Sequence, residues 1–358
     1  MRRLAGGLLL AAISAASLGL PGHATSNHVV MHGGPFGGVV VSLLTHPDAP
    51  EVLHLAAFGS GVYRSVDGGR HWAAASRGLD DPAVLTLAQD PVSPRVLYAG
   101  TDSGIFLSRD AGATWRRIGA ALADRNVRSL LVAPGRPTVL YAATDQGILW
   151  SWDQGATWVP RGAGVETRDI RVLRVDPTHP QRLYAAGFGG VFRSDDGGRA
   201  WRAASRGLAE RRVRALAVDP ARPGVLYAGT SGGGVFVTTD GGGLWQPWNE
   251  GLRNLTVLSL LATADGEALA GTVGGVYRRP GGAPAWELVG GDVLTLTVTF
   301  VTSHPRRPAT LYAGTGGLVF VSDDRGRHWR ELALSVAAPS ATAAVAHPAA
   351  TESRSEGR

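Results

Sequence analysis

The sequence predicts an all-β fold, a seven-bladed β-propeller with four antiparallel strands per blade, and three observations carry that prediction. An eight-residue motif, Ser/Thr-x-Asp-x-Gly-x-x-Trp, recurs at 65–72, 108–115, 151–158, 194–201, 238–245 and 322–329, and a degenerate seventh copy at 279–286 has Gly281 in place of the aspartate. The motif tryptophans, Trp72, Trp115, Trp158, Trp201, Trp245, Trp286 and Trp329, are spaced by 43, 43, 43, 44, 41 and 43 residues, the signature of a repeated structural unit. Each unit also holds four short apolar stretches separated by Gly, Pro and Asp turns, which is one small antiparallel sheet and the blade of a propeller.

Residues 213–226 show the order of elements within a unit. A first strand alternates apolar residues over 213–218, Asp219-Pro220 makes a turn, and a second strand starts at Val225 and runs through Tyr227 to Thr230. A glycine turn leads into a third strand over 234–238, and after the motif turn the fourth strand starts at Trp245. In the motif turn the aspartates Asp67, Asp110, Asp153, Asp196, Asp240 and Asp324 accept backbone hydrogen bonds, the glycine takes positive φ, and the tryptophan buries its ring between blades. These residues are therefore assigned to folding. The first strand of blade 1 is expected near Val39–Thr45 and the last of blade 7 at 329–334. Whole repeats require no exchange of strands between the termini, although 28–31 can add an edge strand.

The chain has 358 residues, 44% of them apolar, with 50 glycines, 21 prolines and no cysteine, which excludes disulfides and thiolate chemistry. All 35 basic side chains are arginine against 29 carboxylates, for a net charge of +6. Absent lysine fits a GC-rich coding bias, and it also fits bidentate recognition of oxyanions. Residues 1–24 read as a signal peptide: Arg2 and Arg3, an apolar run from Leu4 to Leu20, and a small-residue cleavage site ending at Ala24. With its glycines that run is too short and too weakly apolar for a lasting membrane span. The expected organisation is signal peptide 1–24, lead-in 25–36, propeller 37–336 and a disordered tail 337–358, in a secreted or periplasmic monomer.

The repeated motif resembles the Asp-box, or BNR, repeats of the sialidase-like propeller superfamily, which includes sialidases, xyloglucan-type endoglucanases, sortilin-type receptors and photosystem II assembly factors. The resemblance implies the propeller fold and places ligand sites on the face opposite the Asp boxes. Residues expected on that face are Arg77, Asp80, Asp81, Asp102, Asp124, Arg125, Asn126, Asp145, Glu166, Arg168, Asp169, Glu210, Arg211, Arg212, Glu250, Arg253, Asn254 and Asp292. Sialidase activity is not expected. The Arg-Ile-Pro signature of that family does not occur, and all seven tyrosines lie in repeat phase, as packing residues do.

A two-carboxylate glycosidase needs acids about 5–10 Å apart, for which Asp102, Asp145, Glu166 and Asp169 are the candidates. The resembling xyloglucan enzymes hold substrate between two propellers, and one is present here. No histidine set has metal-ligand spacing, so neither metal nor cofactor is expected, and a secreted chain is not expected to bind nucleic acid.

The preferred reading is a non-catalytic binding or assembly module for a protein or acidic glycan. Arg128, Arg171 and Arg214 are 43 residues apart at one position of the innermost strand, where other blades hold Val41, Leu85, Leu258 and Thr299. They form an anion-binding arc, widened by Arg125, Arg168 and Arg211 from the linkers, with Asp169 and Glu210 as possible internal counter-charges. The resembling photosystem assembly propellers use an arginine-rich patch for partner binding.

Overall fold

The computed structural model describes residues 37–133, 138–291 and 296–332, together with the backbone of a last short strand, Ser335–Val336. Seven sheets of four antiparallel strands follow one another along the chain. The one helical element among the described residues is a 3-10 turn at Ala120–Leu122. In every sheet the strands lie in chain order from inside to outside. The first strands, beginning at Val39–Thr45 and ending at Phe300–His304, each contact the first strand of the next blade, and the last contacts the first. Seven blades thus close around a central axis. The expected signal peptide, lead-in, 28–31 edge strand and 337–358 tail, and Asp292, lie outside the described residues.

Both faces of each sheet are covered by neighbouring blades, so the second strands are buried over most of their length, though His179–Gly187 and Arg307–Gly314 begin with exposed residues. Leu97–Thr101 and Leu226–Thr230 both read Leu-Tyr-Ala-Gly-Thr with every residue buried. The glycine is required by close approach: a Cβ on Gly229 would sit 2.6 Å from Val257 Cγ1 of the next blade's first strand. The hydrophobic clusters accordingly lie between blades. One joins Tyr184 of blade 4 to Leu226 and Trp245 of blade 5, and another joins Phe300 and Tyr312 of blade 7 to Leu53 and Trp72 of blade 1.

The motif turn is a closed hydrogen-bonded unit. Ser65 Oγ donates to Asp67 Oδ1 at 2.8 Å, Gly69 N donates to Ser65 Oγ at 2.8 Å, and His71 N donates to Asp67 Oδ1 at 3.0 Å. The same set recurs around Asp153. Burial pushes the Asp110 carboxyl upward, but hydrogen bonds from Thr114 and Ser108 outweigh it and hold the group at about 2. Some tryptophans hydrogen-bond across a blade boundary, Trp115 Nε1 to Ala75 O and Trp245 Nε1 to Ala204 O, both at 2.7 Å, whereas Trp72 and Trp158 donate to a glycine carbonyl of their own turn.

The degenerate seventh copy keeps its tryptophan, Trp286, 4% exposed. Arg279 replaces the missing serine and aspartate there, donating to Ala283 O at 3.0 Å and Pro284 O at 2.6 Å, with its guanidinium 4.1 Å from the Trp248 ring centroid. Histidine substitutes for aspartate elsewhere in the same way. His46 Nδ1 accepts from Asp48 N and Ala49 N, and His304 Nδ1 from Arg306 N and Arg307 N, as Asp90 Oδ1 does from Val92 N and Ser93 N.

Two boundaries differ from expectation. The first strand of blade 1 is Val39–Thr45 as expected, whereas the outermost strand of blade 7 is only Arg330–Glu331. Ser335–Val336 then pairs in parallel with the outer strand of blade 1, His71–Ala74, opposite His71 and Trp72. The termini therefore do share a sheet. An unpaired outer edge beside the seam between blades 7 and 1 explains why the departing chain docks there.

Candidate functional site

The linker face carries two kinds of loop: hairpin tips between second and third strands, and linkers from one blade to the next. Four tips are tied to the linker entering their own blade, Asp102 N to Ala83 O, Phe188 N to Asp169 O, Ser231 N to Arg212 O and Val273 N to Thr256 O. Just past the linker, six of the seven first strands carry a β-bulge, with register slips at Val41, Leu85, Arg128, Arg171, Arg214 and Leu258. A bulge leaves one residue out of the ladder and re-aims its side chain. Arg128, Arg171 and Arg214 are therefore the bulge residues of blades 3, 4 and 5, at the mouth of the axis. In blade 7 the equivalent Thr299 donates to Val40 O at 2.7 Å and Gly314 O at 3.0 Å.

A polar network runs along this arc. Asn126 Nδ2 donates to Asp102, Arg128 Nε donates to Asn126 Oδ1 at 3.1 Å, and Arg128 pairs with Asp169. The second oxygen of Asp169 takes Arg171 at 3.2 Å. The guanidinium of Arg171 lies 4.0 Å from the Phe188 ring centroid and that of Arg214 lies 5.7 Å from it. Arg214 Nε donates to the Ser231 hydroxyl. Burial, and then the neighbouring guanidinium groups Arg171 and Arg212, pull Arg214 below the ordinary arginine range.

Asp169 thus neutralises one side of the arc as expected. Glu210 does not serve it: Glu210 binds Arg212 at 2.8 Å. The reason is reach, since Arg212 is two residues away on the same linker and also receives the Glu210 carboxylate at its backbone N–H. Among the described residues Arg214 has no carboxylate partner. Of the widening arginines, Arg168 and Arg211 are exposed and Arg125 is half-buried.

The four candidate acids are not brought together as a catalytic pair. Asp102 is held by Asn126, Asp169 is clamped between two arginines, and Asp145 and Glu166 are exposed. Glycoside hydrolysis also needs a carboxyl with a raised pKa as proton donor. Burial raises the Glu267 carboxyl, but that group lies on the motif face of blade 6, ion-paired with Arg278. Burial also pushes the Tyr98 hydroxyl up to about 12, which disfavours it as a nucleophile. No group of three or more His, Cys, Asp or Glu residues among those described is placed to hold a metal ion.

On the outer side of the Phe188 tip lies a cavity of about 500 Å³ whose walls include Glu166, Gly189, Phe192, Ser205, Leu208 and Arg211. Two sequence-predicted residues, Glu166 and Arg211, therefore share one hollow beside the arc. The scaffold can be placed among known proteins. It is similar to an ancestral GH74 enzyme, with a TM-score of 0.69 and 17% identity over 82% of this chain and 46% of that one. It is similar to the GH74 xyloglucanase from Xanthomonas campestris, with a TM-score of 0.67 and 18% identity over 84% and 54%. YCF48 bound to D1 peptide matches with a TM-score of 0.54 and 19% identity over 69% and 80%.

The likeness is one of fold. This chain spans about half the length of the two GH74 structures. No protein-family model matches the sequence, and no curated protein does.

Sequence reasoning missed Phe188 and Ser231, the two tip residues that hold Arg171 and Arg214. Their signal was the position itself. The first tip residue after the second strand is aspartate in blades 2 and 3, then Phe188, Ser231 and Val273, so it varies where the rest of the unit repeats.

Proposed function

We propose that this chain is a secreted or periplasmic, non-catalytic binding or assembly propeller of the Asp-box type, and that it takes an acidic partner segment on the linker face at blades 3 to 5. The observation that carries the reading is Arg214: a half-buried guanidinium that shares the Phe188 ring with Arg171 and, among the described residues, has no ion-paired carboxylate. Buried like charges on one arc favour whatever anion joins them. The D1 peptide on YCF48 supports a propeller of this shape serving as a peptide-binding module.

The test is a pull-down from an extracytoplasmic fraction with wild-type protein and with Arg214→Gln. Retained partners should be lost in the variant and should elute from wild type as salt rises. Identical retention by both proteins would refute the arc as the binding site.

A second reading, a glycoside hydrolase, draws on the GH74 fold likeness and on Glu166 in the cavity. Release of reducing ends from xyloglucan, lost in Glu166→Gln, would establish it. Asp169, clamped between Arg128 and Arg171, favours binding over hydrolysis.

A further inference from the structure

In blades 3 to 7 the linker position three residues before the bulge, or before its blade 7 equivalent Thr299, divides the face in two. It is Arg125, Arg168 and Arg211 in blades 3 to 5, then Leu255 and Leu296 in blades 6 and 7. The bulge residue divides the same way, from Arg214 in blade 5 to Leu258 in blade 6. Leu255 is 40% exposed, Leu296 51%, and the neighbouring tip residue Val273 37%. Single exposed apolar residues are ordinary, but Leu255 and Val273 join the arc, and Val298 N, two residues past Leu296, donates to Thr272 O beside Val273. Ser231, whose hydroxyl takes Arg214, forms a β-bridge with Thr256. Gly232 N and Gly234 N donate to Leu255 O, and Val273 N donates to Thr256 O. From Arg214 through Leu255 to Val273 the surface is one strip, with a strand-like step of about 4.8 Å between adjoining backbones.

We infer that this strip is a composite docking surface for a polypeptide segment that sets a carboxylate on Arg214 and apolar side chains on Leu255, Val273 and Leu296. The inference rests on the acid-binding reading of the arc and deepens it by naming the partner as a protein segment of mixed acidic and apolar character. Charge complementarity fixes one end and the exposed leucines the other. A glycan is disfavoured because branched aliphatic tips offer no flat ring for a sugar to stack on. An anionic bilayer is disfavoured because exposed Asp145, Glu166 and Glu250 stand on the same face.

The test pans the wild-type chain against a random dodecapeptide library and measures the most enriched peptide by fluorescence anisotropy. Wild type is compared with Arg214→Gln and with the triple variant Leu255→Ser, Val273→Ser, Leu296→Ser. Polar substitutions at exposed positions leave the fold intact, which circular dichroism checks. Enriched peptides should combine carboxylates with Leu, Phe or Trp, and each variant should weaken binding about tenfold or more. Acidic peptides that lose affinity in Arg214→Gln but not in the serine variant would overturn this inference and leave the arc standing. Peptides indifferent to both variants, or no enrichment at all, would overturn both. Phosphatidylglycerol vesicles sedimenting with wild type but with neither variant, without peptide enrichment, would assign the face to a membrane and overturn it as well.

Discussion

On the motif face, Asp67, Asp110, Asp153, Asp196, Asp240 and Asp324 each accept hydrogen bonds from their own turn, and each motif tryptophan is at most 7% exposed. On the linker face, one equivalent position runs Val41, Leu85, Arg128, Arg171, Arg214, Leu258 and Thr299 around the ring. Both faces come from the same repeat, yet one is held constant and the other varies blade by blade. The constant face carries the inter-blade packing, where any change is felt by two blades. The varying face is free of that constraint, so its departures from the repeat are where recognition can be built. Substitutions on the two faces should therefore separate stability from binding.

The largest effect belongs to the constant face. Trp158→Ala removes a 6%-exposed ring that packs between blades 3 and 2, and truncation of such aromatics costs about 3–5 kcal/mol. A chemical denaturation midpoint close to wild type would break the comparison at its strongest point.

Next comes a place where the constant face deviates. The second strand carries tyrosine in blades 2 to 5 and 7, and His54 in blade 1. Tyr141 OH donates to Gly197 O of the next motif turn at 3.0 Å, and the Nε2–H of His54 likewise donates to Ala111 O at 2.8 Å. Burial lowers His54 from 6.5 to about 4. The unfolded chain therefore takes up a proton near pH 6.5 that the folded protein refuses until about 4, so stability falls as pH drops through that window. The loss approaches about 3 kcal/mol. Urea midpoints at pH 7 and pH 4.5 measure it, and His54→Tyr should flatten the difference. An undiminished pH slope in that variant would clear His54 of the role.

The propeller was legible because its cause is repeated. Seven tryptophans in register, six of them with a serine or threonine, an aspartate and a glycine, state one packing solution around the ring. The closing strand Ser335–Val336 was not legible, because pairing of an outer edge depends on where two ends of the chain meet in space, not on local pattern. At the site, the 43-residue spacing of Arg128, Arg171 and Arg214 revealed the arc, while the bulge that aims these side chains leaves no residue signature. Its bulged positions hold Val, Leu or Arg with equal ease. Glu210 illustrates the remaining gap. Proximity in sequence placed it near Arg214, but a nearer guanidinium on its own linker, Arg212, took it first.

A smaller stability effect tests how the degenerate motif is repaired. Arg279→Ala removes two hydrogen bonds to carbonyls and a contact with Trp248, leaving Ala283 O and Pro284 O without that donor. A cost of about 1–3 kcal/mol is expected, read as a lower thermal midpoint with the propeller otherwise intact. A midpoint equal to wild type would mean that the seventh turn needs no substitute for its lost aspartate.

The smallest stability effect should accompany the largest binding effect. Arg214 is charged in a place where burial and the guanidinium groups of Arg171 and Arg212 oppose its charge by more than the attraction of Asp169 offsets. Glutamine keeps a side-chain amide able to donate to Ser231 and removes the unfavourable charge, so Arg214→Gln should leave stability within about 0.5 kcal/mol or raise it. Arg171→Gln is the control from the same arc, because it strips a partner from Asp169 and should destabilise. If Arg214→Gln instead destabilises as much as Arg171→Gln, Arg214 is a structural member of the ring. The linker face would then follow the same rule as the motif face. A folded, equally stable Arg214→Gln that has lost its acidic partner is the outcome that keeps the two faces distinct.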